Sequence, residues 1–269
     1  MKRWQRMVAV MAAAGAVVAA SGEVADARPP VPVKARTVHP VTAPDTMRPG
    51  LVHLRNVGVQ PLLLFRKVHS GVPTLVRDVN GQFSDTGFGR LYRQFHAVAA
   101  IDAHSDAYVR LRKGTYYLFS AAVDRIHSDD VHVIAVQGTV DNAKAPHARA
   151  VTVQLHTNAL FAPHVLHAGR FVHFRNRTHR TEELVFFPLS PSANAQQIQD
   201  FLAAPSLDKL FGILDPRKFD FAVPALTGGG EDLYVHSPRH TGRYIAVAIP
   251  LYGSQPVIHR HAAALVTVV

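Results

Sequence analysis

The sequence contains no cysteine. That removes disulfides, thiol nucleophiles, redox dithiols and thiolate metal sites together. A chain of 269 residues must then hold itself together by packing alone. Long apolar runs are almost as scarce. The one extended run, Met7 to Ala20, is 14 residues long, short of the ~20 that a membrane-spanning helix needs. Acidic residues are the minority, 19 against 29 Lys and Arg, for a formal net charge of +10. No dense Lys/Arg run concentrates that charge, so nucleic acid is not an expected partner. Catalytic signatures are missing as well. There is no H-E-x-x-H and no G-x-S-x-G, and Gly228-Gly229-Gly230 lacks the lysine and following helix of a phosphate loop.

What is present begins with an export signature. Lys2, Arg3 and Arg6 precede the apolar run and Ala25-Asp26-Ala27 follows it as an A-x-A cleavage site, with Ala20 as an earlier option. Residues 1–27 therefore read as a signal peptide, and the mature protein is expected to be secreted or extracytoplasmic, with no membrane span. Residues 28–45 form a proline-rich extended leader, with one strand around Arg36 to Val41. A basic exported protein is drawn to anionic envelope components or to an acidic protein. Colloidal solubility is the plainer use of the same charge.

The rest of the chain is duplicated. Val52-His53-Leu54-Arg55-Asn56 returns 120 residues later as Val172-His173-Phe174-Arg175-Asn176. Gly114-Thr115-Tyr116 returns 128 residues later as Gly242-Arg243-Tyr244, and Thr139-Val140 returns as Thr267-Val268. The growing offset places extra residues in a connection of the second copy, where insertions are tolerated. Two units follow, 46–141 and 150–269, joined by a polar linker at 142–149.

Alternation along 51–56 puts Val52 and Leu54 on one face and His53 and Arg55 on the other. Asp106 to Arg112 alternates in the same way and reads as a half-exposed strand. Pro61 to Val68, Thr115 to Val123, Val131 to Val140, Ala150 to His156, Glu183 to Leu189, Leu233 to His236, Gly242 to Ile249 and His261 to Val269 read as further strands. Short helices are expected at Pro73 to Val79 and at Leu207 to Ile213. A longer one is expected after Ser190 as N-cap and Pro191 at the first helical position. Gly87 to Ser105 reads equally as strand or irregular loop, and the triple glycine at 228–230 reads as a flexible turn.

In this order (Pro-Gly, strand, Asn, strand, helix-bearing connection, strand, Gly-x-Tyr strand, closing strand) the chain resembles the cupredoxin-like β-sandwich once per unit. It resembles in particular the secreted cupredoxin-like proteins of high-GC bacteria. The motifs are short, and immunoglobulin-like sandwiches share part of the pattern. The resemblance implies an all-β fold of two tandem Greek-key sandwiches with short helices in the connections. It also implies where copper ligands would stand. The first histidine position holds Leu62 in one unit and Glu182 in the other, and the cysteine position holds Ser120 and Ala248. His259 matches the second histidine of unit two, and Ala264 stands near the methionine. A type 1 centre needs a thiolate, so the scaffold is expected without that chemistry.

Seventeen histidines leave one route to a metal. His259 and His261 lie two apart, on one face if the strand already begins there, at a spacing that suits zinc or copper(II). His164, His167 and His173 form a second group. His127, Asp129, Asp130 and His132 read as a polar turn. The repeated pairs His53/Arg55 and His173/Arg175 form an anion-binding candidate, since guanidinium matches carboxylate and phosphate. A solvated sheet face, or a face buried between the units, accounts for the same pattern. The expected function is a non-catalytic binding or interaction protein without cofactor. A histidine-based metal-binding protein is the alternative, and an enzyme with a site between the units comes third.

Overall fold

The computed structural model describes residues 43–57, 60–81, 87–101, 104–120, 125–140, 150–157, 159–215, 222–250 and 262–269. The proposed signal peptide, most of the leader, the 142–149 linker and the 259/261 histidine pair lie outside them.

Duplication is visible strand by strand. One five-stranded sheet has the order β1 (Thr46–Met47), β7 (His132–Val136), β6 (Gly114–Ser120), β3 (Leu62–Lys67), β4 (Phe95–Ile101). The other has β10 (Val165–Leu166), β16 (Ala263–Val268), β15 (Gly242–Pro250), β12 (Glu182–Pro188), β13 (Ala222–Thr227). Even the short parallel pairing at the edge recurs, β1 with β7 and β10 with β16. The fold is all-β with short helices in the connections, as the sequence implied.

The halves then merge. A six-stranded sheet runs β2 (Gly50–Arg55), β5 (Asp106–Leu111), β14 (Asp232–His236), β11 (Phe171–Asn176), β8 (Val151–His156), β9 (Ala159–Phe161). Its middle joint, β5 against β14, is antiparallel and crosses from one half to the other, with Tyr108 opposite Tyr234. One face of this sheet packs on both five-stranded sheets through a single core. That core holds Leu54, Val109 and Leu64 from the first half beside Phe174, Leu233 and Phe186 from the second.

Outer faces of the five-stranded sheets are covered by helices. α1 (Val72–Asn80) and α2 (Gly87–Gln94) seat Leu75, Val79 and Leu91 on Phe65, Phe95 and Phe119. α3 (Ala195–Ala203) and α4 (Leu207–Ile213) seat Ile198, Phe201, Leu210 and Ile213 on Val185, Phe187, Ile245 and Val247. This explains the two strand signatures. Strands covered on both faces, such as β12, read as continuous apolar runs, whereas β2, β5 and β14 alternate because one face is open.

Several expectations change. The helix after Ser190 starts later, at Ala195. Asn194 Oδ1 accepts from the Gln197 backbone N–H at 2.9 Å, and Gln197 Oε1 accepts from the Asn194 N–H at 3.0 Å. This reciprocal box satisfies two orphan donors at once. The Ser190 hydroxyl instead accepts from the Ser192 N–H at 3.3 Å and pairs with the Ser192 hydroxyl at 2.7 Å. The ambiguous stretch after Gly87 splits into α2 and β4. Strands β9, β10 and β13 carry no clear signal in the sequence.

The triple glycine is a packed joint, not a flexible turn. The Gly228 N–H donates to the Ala97 carbonyl at 2.7 Å. Glu231, 4% exposed, accepts from His96 Nε2 at 3.0 Å and lies 3.6 Å from Arg66 Nη2. Arg112 Nη2 donates to the Gly230 carbonyl at 3.1 Å.

The repeated landmarks have repeated jobs. Gly114 and Gly242 take φ +151° and +149°, a region that disfavours any Cβ. Tyr116 and Tyr244 each donate their hydroxyl to a carbonyl four residues back, Arg112 and His240, both at 2.9 Å. Asn56 and Asn176 each donate Nδ2 to a carbonyl four residues on, Gln60 at 2.8 Å and Arg180 at 2.9 Å. Asn176 Oδ1 also accepts from the Thr178 N–H and hydroxyl, at 2.9 and 2.7 Å. An Asn176→Ala variant is expected to lose about 2–3 kcal/mol in urea unfolding, because it strands these buried groups without partners.

Candidate functional site

The outward residues of the six-stranded sheet form one surface across both halves. Its axis is a row of rings: His53, Tyr108, Tyr234 and His173, on four adjacent strands. His53 stacks on Tyr108 with centroids 4.4 Å apart, and His173 on Tyr234 at 4.3 Å. Cross-strand pairs of flat rings fit the close spacing of adjacent strands. Phe171 adds an edge contact to Tyr108 at 5.5 Å and lies 4.0 Å from the His236 ring.

Flanking the row are the charged groups. Arg55 stands opposite Asp106 in the β2–β5 register, as Arg175 stands opposite Asp232 in β11–β14. The alternation of 51–56 is therefore as expected: Leu54 is buried while His53 and Arg55 are exposed. His53/Arg55 and His173/Arg175 do lie on equivalent outward faces of one sheet.

The two copies differ in how their acids are satisfied. Asp106 accepts from His53 Nε2 on Oδ2 and from His236 Nε2 on Oδ1, both at 2.7 Å. Burial raises the Asp106 carboxyl, but these histidine hydrogen bonds outweigh it and hold the group below its ordinary range. In the second copy Asp232 faces Arg175 Nε at 3.4 Å, His173 Nε2 at 3.6 Å and Arg177 Nη2 at 3.8 Å. Burial pushes Asp232 up and His173 with Arg175 pull it down further, so it too sits below the usual carboxylate range. His236 belongs to the second half, and its other nitrogen contacts the Gly169 carbonyl at 2.8 Å. It links the two halves through a side chain.

At the end of β2 and β5 the surface deepens into a cleft of about 440 Å³, lined by His53, Arg55, Asn56, Val57, His104, Ser105 and Asp106. His104 sits at its rim with φ +54°, a left-handed conformation uncommon for a residue with a side chain. Its carbonyl accepts from Arg239 Nη2 at 3.3 Å.

Other candidates are not brought together. Among the described residues no group of three or more His, Asp or Glu side chains could hold a metal ion, so His164, His167 and His173 do not converge. The pair His259 and His261 lies outside the described residues. The polar-turn reading at 127–132 fits a 3-10 turn, Ser128–Asp130, in which Asp130 Oδ2 accepts from the His127 N–H at 2.7 Å. Of the positions where the resemblance puts copper ligands, Leu62 and Ser120 are cross-strand partners, and Glu182 is a buried carboxyl. Burial pushes Glu182 up to about 7, partly opposed by Arg180.

Asp106, His104, Tyr108, Tyr234 and His236 join this surface without having stood out in the sequence. The one available signal is that Tyr108 and Tyr234 occupy matching places in the repeat.

Among the described residues no helix is long and apolar enough to cross a membrane. No family model matches the chain, and no curated protein does. Similar solved structures include copper proteins. A point mutant of amicyanin in its Cu(I) form is 15% identical over 45% of this chain and 82% of its own, with a TM-score of 0.25. Auracyanin A from Chloroflexus aurantiacus is 15% identical over 45% of this chain and 98% of its own, at 0.27. The copper-containing nitrite reductase of Thermus scotoductus is 14% identical over 84% of this chain and 59% of its own, at 0.24. These are similarities at low identity and low TM-score, and nothing of this chain's chemistry follows from them.

Proposed function

We propose that this protein is an exported, non-catalytic binding protein of the cell envelope or medium, and that it works through the open face of the six-stranded sheet on anionic ligands. The observation that carries this reading is the composition of that face. Arg55, Arg110, Arg175 and Arg177 surround a row of four rings, and both carboxylates among them are already paired. The excess of Lys and Arg over Asp and Glu adds long-range attraction to the local one. The non-catalytic part rests on the sequence, which carries none of the motifs named above.

A variant with His53→Gln, Arg55→Gln, His173→Gln and Arg175→Gln tests it. Binding to phosphatidylglycerol vesicles and to anionic wall preparations is expected to fall about tenfold or more, and wild-type binding to weaken steeply with salt. Thermal unfolding of the variant reports that the sheet is intact. Unchanged affinity in a folded variant overturns the reading.

A further inference from the structure

We infer that the cleft at the end of β2 and β5 is the anion seat of this surface, and that the group it takes is a phosphate. The inference rests on the open face being an anion-binding surface, and it narrows that reading to one of the two copies.

The copies share a motif and differ in which cation is left over. Asp106 has both oxygens engaged, Oδ2 by His53 and Oδ1 by His236 from the other half. Among the described residues, no side chain forms an ion pair or hydrogen bond with the Arg55 guanidinium. Arg175, at the matching place, is drawn to Asp232 at 3.4 Å, with Arg177 on the same oxygen. In the second copy the acid faces its arginines, whereas in the first it is held by histidines and the Arg55 guanidinium is left without an ion pair among the described residues at the wall of a cleft.

The cleft supplies what a guanidinium alone does not. Its volume of about 440 Å³ admits more than one small anion, and its lining adds the exposed His104 and the mostly buried Ser105. The Asn56 amide is not available, since Nδ2 donates to the Gln60 and Ile101 carbonyls at 2.8 and 3.2 Å. Asp106 is the one carboxylate in the lining, and both of its oxygens are already engaged by histidines. A planar carboxylate would be satisfied by the guanidinium fork alone. A tetrahedral phosphate has further oxygens for donors on other sides, which is what His104 and Ser105 provide.

Inorganic phosphate titrated into the wild-type protein at low ionic strength, followed by NMR or calorimetry, is the test. Arg55→Gln is expected to weaken binding about tenfold, as loss of a charge-assisted bidentate donor should. Arg175→Gln is expected to stay within about twofold, because Arg175 does not line the cleft. Arg55 has no partner among the described residues, so its loss should leave folding intact. A second arm asks whether phosphate displaces the protein from phosphatidylglycerol vesicles. Displacement assigns the group to a lipid headgroup. Phosphate binding without displacement assigns it to a soluble phosphate. Equal losses in both variants, no loss in either, no phosphate binding by wild type, or equal affinity for acetate each overturn the assignment. If the quadruple variant then still loses vesicle binding, only the cleft assignment falls. If it binds normally, the wider reading falls as well.

Discussion

Alanine at Gly228 is expected to cost about 3 kcal/mol, seen as a fall of roughly 6–12 °C in the unfolding midpoint by calorimetry. A Cβ built there would stand 2.5 Å from the Ala97 carbonyl oxygen and 2.5 Å from His96 Cε1. Real Cβ atoms do not approach that closely, and the backbone oxygen has no rotamer in which to escape. Relief requires the β4 edge to move away from the turn. That movement stretches the Gly228 to Ala97 hydrogen bond and shifts His96 off Glu231, a buried carboxylate that would keep only the longer approach of Arg66. Gly229→Ala should behave alike, since its Cβ would meet the Thr178 carbonyl oxygen at 2.5 Å. Gly212 in α4 is the control. Nothing lies within 4 Å of a Cβ there, so alanine should stabilise by about 0.5–1 kcal/mol through helix propensity. A Gly228→Ala protein as stable as wild type would mean that the two halves are not held together at this joint.

The second large effect is expected at Glu182. Its carboxyl is 4% exposed, and burial raises it from 4.5 to about 7. The sign follows from the raised value. The folded state holds the proton more tightly than the unfolded one, so this group favours folding most below pH 4.5. That contribution is lost as pH rises from 4.5 through 7, and no more is lost above that. A displacement of this size is worth about 3 kcal/mol. Glu182→Gln keeps the shape and removes the charge. It should therefore be more stable than wild type at about pH 8 by up to about 3 kcal/mol, with the gap closing toward about pH 4.5. Urea unfolding of both proteins across that range measures it, and the difference between them cancels the other titrating groups. A gap that does not change with pH would show that Glu182 is not the titrating group. Glu182 stands where the fold resemblance would put a copper-ligand histidine, so that position carries a buried carboxyl in its place.

Much of the fold is legible locally. Residues 51–56 and 106–112 alternate because one of their faces is open, and Leu184 to Leu189 is continuously apolar because helices and core cover both of its faces. Leu207 to Ile213 has the same bounds in sequence and structure, since Ser206 caps it through a bond to the Lys209 N–H. The helix start at Ala195 is harder to read because Ser190-Pro191 and Asn194-x-x-Gln197 are competing caps, and only the second closes a reciprocal pair. The glycine triplet misleads because permissive backbone and close approach look identical in sequence. Only the carbonyls of Ala97 and Thr178, more than 45 residues away, separate the two.

The candidate site divides in the same way. His53, Arg55, His173 and Arg175 stand out because the repeat and the two-residue period are properties of the chain itself. Sequence alone established the duplication, the facing of these residues and the exclusion of thiolate chemistry. Their inequality is invisible there. It arises because β5 of one half pairs with β14 of the other, which brings His236 to Asp106 across 130 residues and leaves Arg55 without that acid. Hydrogen-bond registers within a strand pair follow local pattern, but which edges meet is decided by burial of the shared core. That is why the doubled motif belongs to the sequence, and the arginine left unpaired among the described residues belongs to the tertiary structure.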